Sequence, residues 1–172
     1  NDLLIAENKR LIIPSGTEFI LINNSKIISK SPIVAKGSFK EKIIFKSFSK
    51  TYQNEKDKKF FKKLNFDSNK ISQGQCIIIL NTQETSIFEH VIFDNLRNCE
   101  TRLFNSEGSL NVYKSKIKMN YIDFKNNKFG DDGINFVNSS FDLKNIKLEN
   151  IYSDGIDLDY SDGKIINFSC TN

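Results

Sequence analysis

The chain has 172 residues, of which 38% are hydrophobic and 27% are charged, and its formal net charge is +4. This length predicts a single domain over residues 1–172, and the presence of only two prolines excludes a Pro-rich linker protein. No apolar run approaches the roughly 18 residues that a membrane-spanning helix needs, so we expect no membrane span.

The positive charge is concentrated in one segment. Residues 47–73 contain seven lysines against three acids, whereas residues 131–172 contain eight acids against three lysines. The basic surplus is therefore a local feature, and we expect no nucleic-acid partner.

The three cysteines are Cys76, Cys99 and Cys170. They are odd in number and lack a Cys-x-x-Cys spacing, which argues against a zinc site and against a disulfide framework. We therefore expect free, buried thiols, because unpaired cysteine is one of the most frequently buried residue types.

The first part of the chain contains short apolar runs separated by turn-forming residues, which is typical of β-strands. These runs cover residues 11–13, 19–22, 26–28, 33–37 and 42–45. Residues 47–73 interrupt the pattern, and we interpret them as an inserted loop with one or two helical turns over residues 55–64. Phe60, Phe61 and Leu64 are predicted to face inward there.

Two functions are open for the inserted loop. One is a solvated surface excursion that its phenylalanines hold in place. The other is a binding arm for an anionic polymer, with Lys58, Lys59, Lys62 and Lys63 as the contacting side chains.

A repeated phrase dominates the rest of the chain. Ile122-x-Phe124-x-Asn126 returns as Ile146-x-Leu148-x-Asn150 and, in weaker form, as Ile166-x-Phe168-x-Cys170, while Val91-x-Phe93-x-Asn95 precedes them. A period of 20 to 24 residues indicates a solenoid, in which each repeat contacts only its neighbours. Apolar–polar–apolar triples, three to a turn, predict a three-sided coil of about six rungs.

A second phrase follows the same period. The run from Asp132 to Phe136 (Asp-Gly-Ile-Asn-Phe) returns 22 residues later as the run from Asp154 to Leu158 (Asp-Gly-Ile-Asp-Leu). The chain ends within a repeat, so we expect it to be part of a longer polypeptide or to make end-to-end contacts with another solenoid.

Three stretches resemble the right-handed parallel β-helix proteins of the pectate-lyase-like superfamily, and most closely the β-helix regions of bacterial surface-associated proteins. They are the opening around Gly16 and the runs 86–95 and 154–159. The resemblance implies an all-β, right-handed parallel β-helix with the lysine-rich loop inserted. It also implies a stacked ladder of Asn95, Asn126 and Asn150, which Cys170 would interrupt.

The candidate site residues are acids in the last third of the chain: Asp131, Asp132, Asp154, Asp157 and Asp159. Stacked carboxylates about 4.8 Å apart repel each other, so they either bind a cation or share a proton. Calcium is the candidate ion, at Asp154 and Asp157, and no other cofactor is predicted. Asp132, Asp154 and Asp157 are the candidates for acid–base catalysis.

A structural role competes with both chemistries, because Asp-Gly is a common turn dipeptide. The acids resemble fragments of polygalacturonase motifs, but the only histidine, His90, lies far upstream and no Arg-Ile-Lys triplet follows them. We therefore expect a module without catalytic activity rather than an enzyme. The alternative is a carbohydrate-active β-helix enzyme (a polysaccharide lyase, hydrolase or epimerase), or its inactive remnant, that uses the acids of residues 131–159.

The expected function is that of a scaffold or a carbohydrate- or surface-binding module of a bacterial protein that is secreted or exposed on the cell surface. Its expected partners are a polysaccharide or another surface protein.

Overall fold

The computed structural model describes residues 2–49, 55–64, 66, 70–100 and 105–171. The described chain is mostly β-strand, with one helix, α1, over Glu55–Lys63. The strands are β1 (Leu3–Ile5), β2 (Leu11–Ile13), β3 (Glu18–Leu21), β4 (Ile27–Ser29), β5 (Ile33–Lys36), β6 (Ile43–Ser47), β7 (Ile77–Leu80), β8 (Ser86–Asp94), β9 (Cys99–Glu100), β10 (Asn105–Ser106), β11 (Gly108–Tyr113), β12 (Lys116–Lys125), β13 (Asp132–Val137), β14 (Ser140–Glu149), β15 (Asp154–Asp159) and β16 (Asp162–Thr171). The predicted all-β class is confirmed.

Two parallel sheets contain nearly all of the strands. One sheet has the order β1-β4-β7-β11-β13-β15, and the other has the order β16-β14-β12-β8-β5-β2, with β6 pairing β8 and β3 pairing β6. From β11 onward the chain alternates between the two sheets, so each strand pairs with the strand two elements later. The antiparallel exceptions among the described residues are the β9–β10 hairpin and a bridge between Ile22 and Gln73.

The strand register follows the repeat that the sequence predicts, with one correction. Phe93 pairs with Phe124, and Phe124 pairs with Leu148. In the last step Cys170 pairs with Leu148, so the interpretation of Cys170 as the equivalent of Asn150 was wrong by two residues. The backbone N–H of Asn150 donates to the carbonyl of Thr171, which places the ladder position at residue 172, outside the described residues.

Asparagines form the bends between strands because they tolerate a positive φ better than other residues that carry a side chain. Asn95, Asn126 and Asn150 have φ values of 54°, 56° and 55°. The Asn150 side chain donates to Oδ1 of Asn126, and the Asn126 side chain donates to Asp94 rather than to Asn95. The three residues are therefore stacked as the resemblance implies, but their side-chain hydrogen bonds join only the last two.

A second stack, of hydroxyl groups, was not predicted. The backbone N–H groups of Thr82, Ser115 and Ser139 donate to the hydroxyls of Ser115, Ser139 and Ser161 respectively. Each hydroxyl thus accepts from a residue of the preceding repeat. Because these groups are mostly buried, the row satisfies polar backbone atoms that water does not reach.

The core lies between the sheets and contains the apolar residue of each alternating pair. Phe45, Phe93 and Phe124 stack with ring-centre distances of 5.5 Å and 4.4 Å, and all three are buried. In β16, which is the edge strand of the second sheet, Ile165, Ile166 and Phe168 are exposed. The predicted end-to-end contact, which stays a prediction, would use this open edge.

Charged side chains as well as apolar ones fix α1. Phe61 is buried against Phe48 and Ile71, whereas Phe60 and Leu64 are exposed, so two of the three residues predicted to face inward do not. Lys46 Nζ donates to Asp57 of the helix at 2.7 Å and also pairs with Glu18.

Hydrogen bonding sets the pKa values in this ion triad. Burial disfavours the charge on Lys46, but its hydrogen bonds to Asp57 and Glu18 outweigh that cost and raise its pKa. Burial likewise opposes the charge on Glu18, and bonds from Lys46 and Lys56 lower its pKa nevertheless.

The inserted segment begins and ends at the same point of the sheet. The N–H of Gly74 donates to Oγ of Ser47 at 2.8 Å. The two ends of the inserted segment are thereby joined.

Two cysteines are paired, contrary to the prediction of free thiols. Cys76 and Cys99 form a disulfide with a Cα–Cα distance of 5.2 Å, and both are fully buried. Cys170 is a free, exposed cysteine. A disulfide between cysteines 23 residues apart leaves no local motif, so the cysteine spacing does not reveal it.

The predicted Asp-Gly turns are also corrected. Asp132-Gly133 and Asp154-Gly155 open the strands β13 and β15, and they pair with each other in register. Positive φ among the glycines is confined, in the described part of the chain, to Gly16 and Gly130.

No described helix has the length and apolar character that crossing a membrane requires.

We expect the Cys76→Ala/Cys99→Ala double variant to lower the free energy of unfolding by about 3 kcal/mol, because the disulfide restricts a loop of 23 residues in the unfolded chain. Urea unfolding measures the loss. Cys170→Ala is the control and should change stability by less than about 0.5 kcal/mol. Three reactive thiols in the denatured, unreduced protein, instead of one, would contradict the pairing.

Candidate functional site

A hairpin covers the outer face of the first sheet and positions one of the site residues. β9 and β10 pair through Cys99 and Ser106, and the disulfide joins Cys99 to Cys76 at the start of β7. The cysteines pack with Ile78 and Tyr113 on this outer face. Glu107 follows β10 directly, so the hairpin holds it close to the sheet.

Backbone hydrogen bonds then fix Glu107 beside the acidic strand. The N–H groups of Asp131 and Asp132 donate to the carbonyl of Glu107 at 3.1 Å and 3.3 Å. Asn127 donates from its side chain to the carbonyl of Asp132 at 2.8 Å. The backbone at the start of β13 is therefore held from two sides.

Three carboxylates converge at this point. One oxygen from each of Glu107, Asp132 and Asp157 lies within 4.8 Å of the other two. Asp132 is buried, with 3% of its surface exposed, whereas Glu107 is exposed and Asp157 is partly buried. These three residues form the acidic cluster. Among the described residues, no ion pair joins a lysine or an arginine to the acidic cluster.

Within the acidic cluster, the pKa of Asp132 is raised from its ordinary 3.8 to about 7. Burial is the main cause, followed by the charge of Asp157, and the charges of Asp131, Glu107 and Asp154 add to it. Near neutral pH this group therefore binds a proton that an exposed aspartate would have lost.

Two side-chain oxygens of β13 are buried without a hydrogen-bond partner. They are Oδ2 of Asp132 and Oδ1 of Asn135. Asn135 pairs in register with Asp157, and it faces the outer side because its neighbours Ile134 and Phe136 are in the core. Buried polar atoms without partners are rare in folded proteins, so each of these needs an explanation.

The other predicted acids lie outside the acidic cluster. The carboxylates of Asp131, Asp154 and Asp159 are exposed. Asp131 and Asp154 are joined through the backbone, since the N–H of Asp154 donates to the carbonyl of Asp131 at 2.8 Å. The structure thus unites Asp132 and Asp157 but leaves Asp154, the other predicted calcium ligand, apart from them.

A second site is the groove between α1 and β3, of about 430 Å³. Lys56, Lys59, Phe60 and Lys63 line its helical side, and Ile20 lies on the sheet side. Lys56 pairs with Glu18, whereas Lys59 and Lys63 have no ion pair among the described residues. The two free lysines are one helical turn apart and so project from the same face.

The predicted lysines divide into two sets. Lys59 and Lys63 line this lysine groove. Lys58 pairs with Glu55 at 2.7 Å, and Lys62 lies in the last turn of α1, outside the groove lining. Only half of the predicted lysine set therefore contributes to one concave surface.

Sequence reasoning missed Glu107 and Asn135. Glu107 lies 25 residues before Asp132, and Asp132 lies 25 residues before Asp157, so one signal was present in the spacing. This spacing of 25 residues is close to the register steps of 22 and 24 residues but equals neither of them. The hairpin that turns Glu107 toward the sheet depends on a disulfide that the spacing did not predict.

We expect stability in cation-free buffer to decline as the pH rises from about 4 to about 7. The folded chain binds the Asp132 proton more tightly than the unfolded chain, and that advantage is lost once the folded group ionises. Asp132→Asn should remove the decline and stabilise the fold at pH 8 by about 2 kcal/mol. Urea unfolding at pH 5 and pH 8 measures this, with Asp159→Asn as the control that keeps the decline.

No protein-family model, no curated protein and no solved structure matches this chain, so its functional assignment depends on the geometry described above.

Proposed function

We propose that the chain is a right-handed parallel β-helix module that binds an acidic polysaccharide in the lysine groove without turning it over. Strands that pair in parallel at steps of 22 and 24 residues support the β-helix. A buried disulfide supports a location outside the reducing cytosol, either secreted or at the cell surface.

The observation that carries the binding proposal is the pairing of free charge with an exposed aromatic ring. Phe60 is 47% exposed and lies between Lys59 and Lys63 in the groove lining. Lysines bind the carboxylates or sulfates of an acidic polysaccharide as point charges, and an aromatic face packs against the apolar side of a sugar ring.

Ion pairs beside the lysine groove hold α1 in position. Glu18 and Asp57 are paired with Lys46 and Lys56, two acids against two lysines, so they do not cancel the charge of Lys59 and Lys63. Because the Glu18–Lys46–Asp57 triad fixes α1 on the sheet, the groove is formed before a ligand arrives, which lowers the entropy cost of binding.

We expect the Lys59→Ala/Lys63→Ala variant to bind immobilised heparin or polygalacturonate about tenfold more weakly than the unmodified chain, which corresponds to about 1.4 kcal/mol. Lys58→Ala/Lys62→Ala is the matched control, because it removes the same charge from the same helix but from outside the groove lining. Surface plasmon resonance at two salt concentrations measures both. Equal losses in the two variants would show non-specific attraction and contradict a groove site.

Turnover of the same polysaccharide is a second candidate function, favoured by the convergence of the Asp132 and Asp157 carboxylates within 4.8 Å, with the pKa of Asp132 raised by burial. A protonated carboxyl beside an ionised one is the arrangement of an acid–base pair in glycoside hydrolysis. Assays for new reducing ends and for unsaturated products on each bound polysaccharide test it. Product formation that Asp132→Asn abolishes would favour the enzyme, and binding without products would favour the binding module.

A further inference from the structure

We propose that Glu107, Asp132 and Asp157, together with the side-chain oxygen of Asn135, bind one divalent cation of the calcium type. This site is separate from the lysine groove and does not depend on it. Its ligands come from the residue after the hairpin (Glu107), from β13 and from β15.

The size of the acidic cluster fits calcium. Calcium binds oxygen at 2.3–2.6 Å, so two ligand atoms on opposite sides of the ion are at most about 5 Å apart. The three carboxylate oxygens lie within 4.8 Å of one another, which places them in one such shell without a large rearrangement. Magnesium, with bonds near 2.1 Å and a strict octahedral geometry, would require a tighter set.

The two buried oxygens without partners are the second observation that points to a cation. Asp132 and Asn135 are 3% and 5% exposed, and one side-chain oxygen of each lacks a hydrogen-bond donor. Asn135 lies beside Asp157 on the neighbouring strand, at the usual strand spacing of about 4.8 Å. An oxygen that accepts no hydrogen bond has a lone pair available for a metal ion.

Charge leads to the same inference. Three carboxylates converge with no basic partner among the described residues, whereas Glu18 and Asp57 elsewhere in the chain are paired with Lys46 and Lys56. A divalent cation would supply the missing positive charge, and the carboxylate of Glu107 would then join the covering hairpin to the two strands beneath it.

Calorimetric titration of calcium into the chelator-treated full chain tests the site. We expect one bound calcium per chain and a rise in the melting temperature with calcium concentration. Asp132→Asn/Asp157→Asn should weaken calcium binding at least tenfold. Asp131→Asn/Asp154→Asn removes two charges nearby but no proposed ligand, so it should change the affinity less than about threefold.

The cluster variant is expected to fold, because it removes repulsion between acids in the cation-free chain, and circular dichroism checks this. Absence of calcium binding in the unmodified chain would overturn the proposal. Equal weakening in the two double variants would also overturn it, since that result indicates diffuse attraction by the acidic end of the chain.

Terbium luminescence gives a readout of position. The chain has no tryptophan, and Tyr113 lies on the outer face of β11, two residues after Asn111, which pairs in register with Asn135. Terbium emission excited through tyrosine should be displaced by calcium and largely lost in Tyr113→Phe, while that variant retains its calcium affinity. Full emission from Tyr113→Phe would place the ion elsewhere and contradict the site.

Discussion

The parallel, in-register pairing of equivalent residues is the constraint on which the rest of the structure depends. Each strand hydrogen-bonds to the strands one repeat before and after it, so a residue type that works at one level has an equivalent at the next. The backbone conformation of the bends must therefore also repeat at equivalent positions. Residues with positive φ recur at Tyr121, Asn145 and Asn167, each one repeat apart, and asparagine adopts this conformation at little cost.

Much of this architecture could be predicted from the sequence because strand alternation and repeat length are both local signals. Ile134 and Phe136 face the core as predicted, and Asp132 pairs with Asp154 as the repeat indicated. The error at Cys170 has a physical cause. A shift of two residues along a strand keeps every side chain on its face, so alternation alone cannot reveal it.

The features that could not be predicted depend on contacts across long stretches of chain. The Cys76–Cys99 pairing, and the hairpin that brings Glu107 over the sheet, are decided by how the segment after β8 folds back. That segment has no periodic pattern of its own. The candidate site was therefore predicted only in part: Asp132 and Asp157 were among its predicted residues, and Glu107 and Asn135 were not.

Acidic side chains lie close together at two places in the chain, and their surroundings differ. Around Lys46 each acid has a basic partner, and the resulting triad holds a helix on a sheet. Around Asp132 the acids face one another, the pKa of Asp132 is raised, and a buried carboxylate oxygen has no hydrogen-bond partner. Maintaining such a cluster is unfavourable for stability alone, which is why it is the natural place to look for a function.

The hydrogen bond between Ser47 and Gly74 separates the length of the inserted segment from the register of the sheets. Because the two ends of the excursion meet there, residues can be added or removed between them while the neighbouring strands keep their partners. The entropy cost of closing such a loop rises only slowly with its length. This position is thus a permissive graft point, at which segments of different length can be inserted on an unchanged framework.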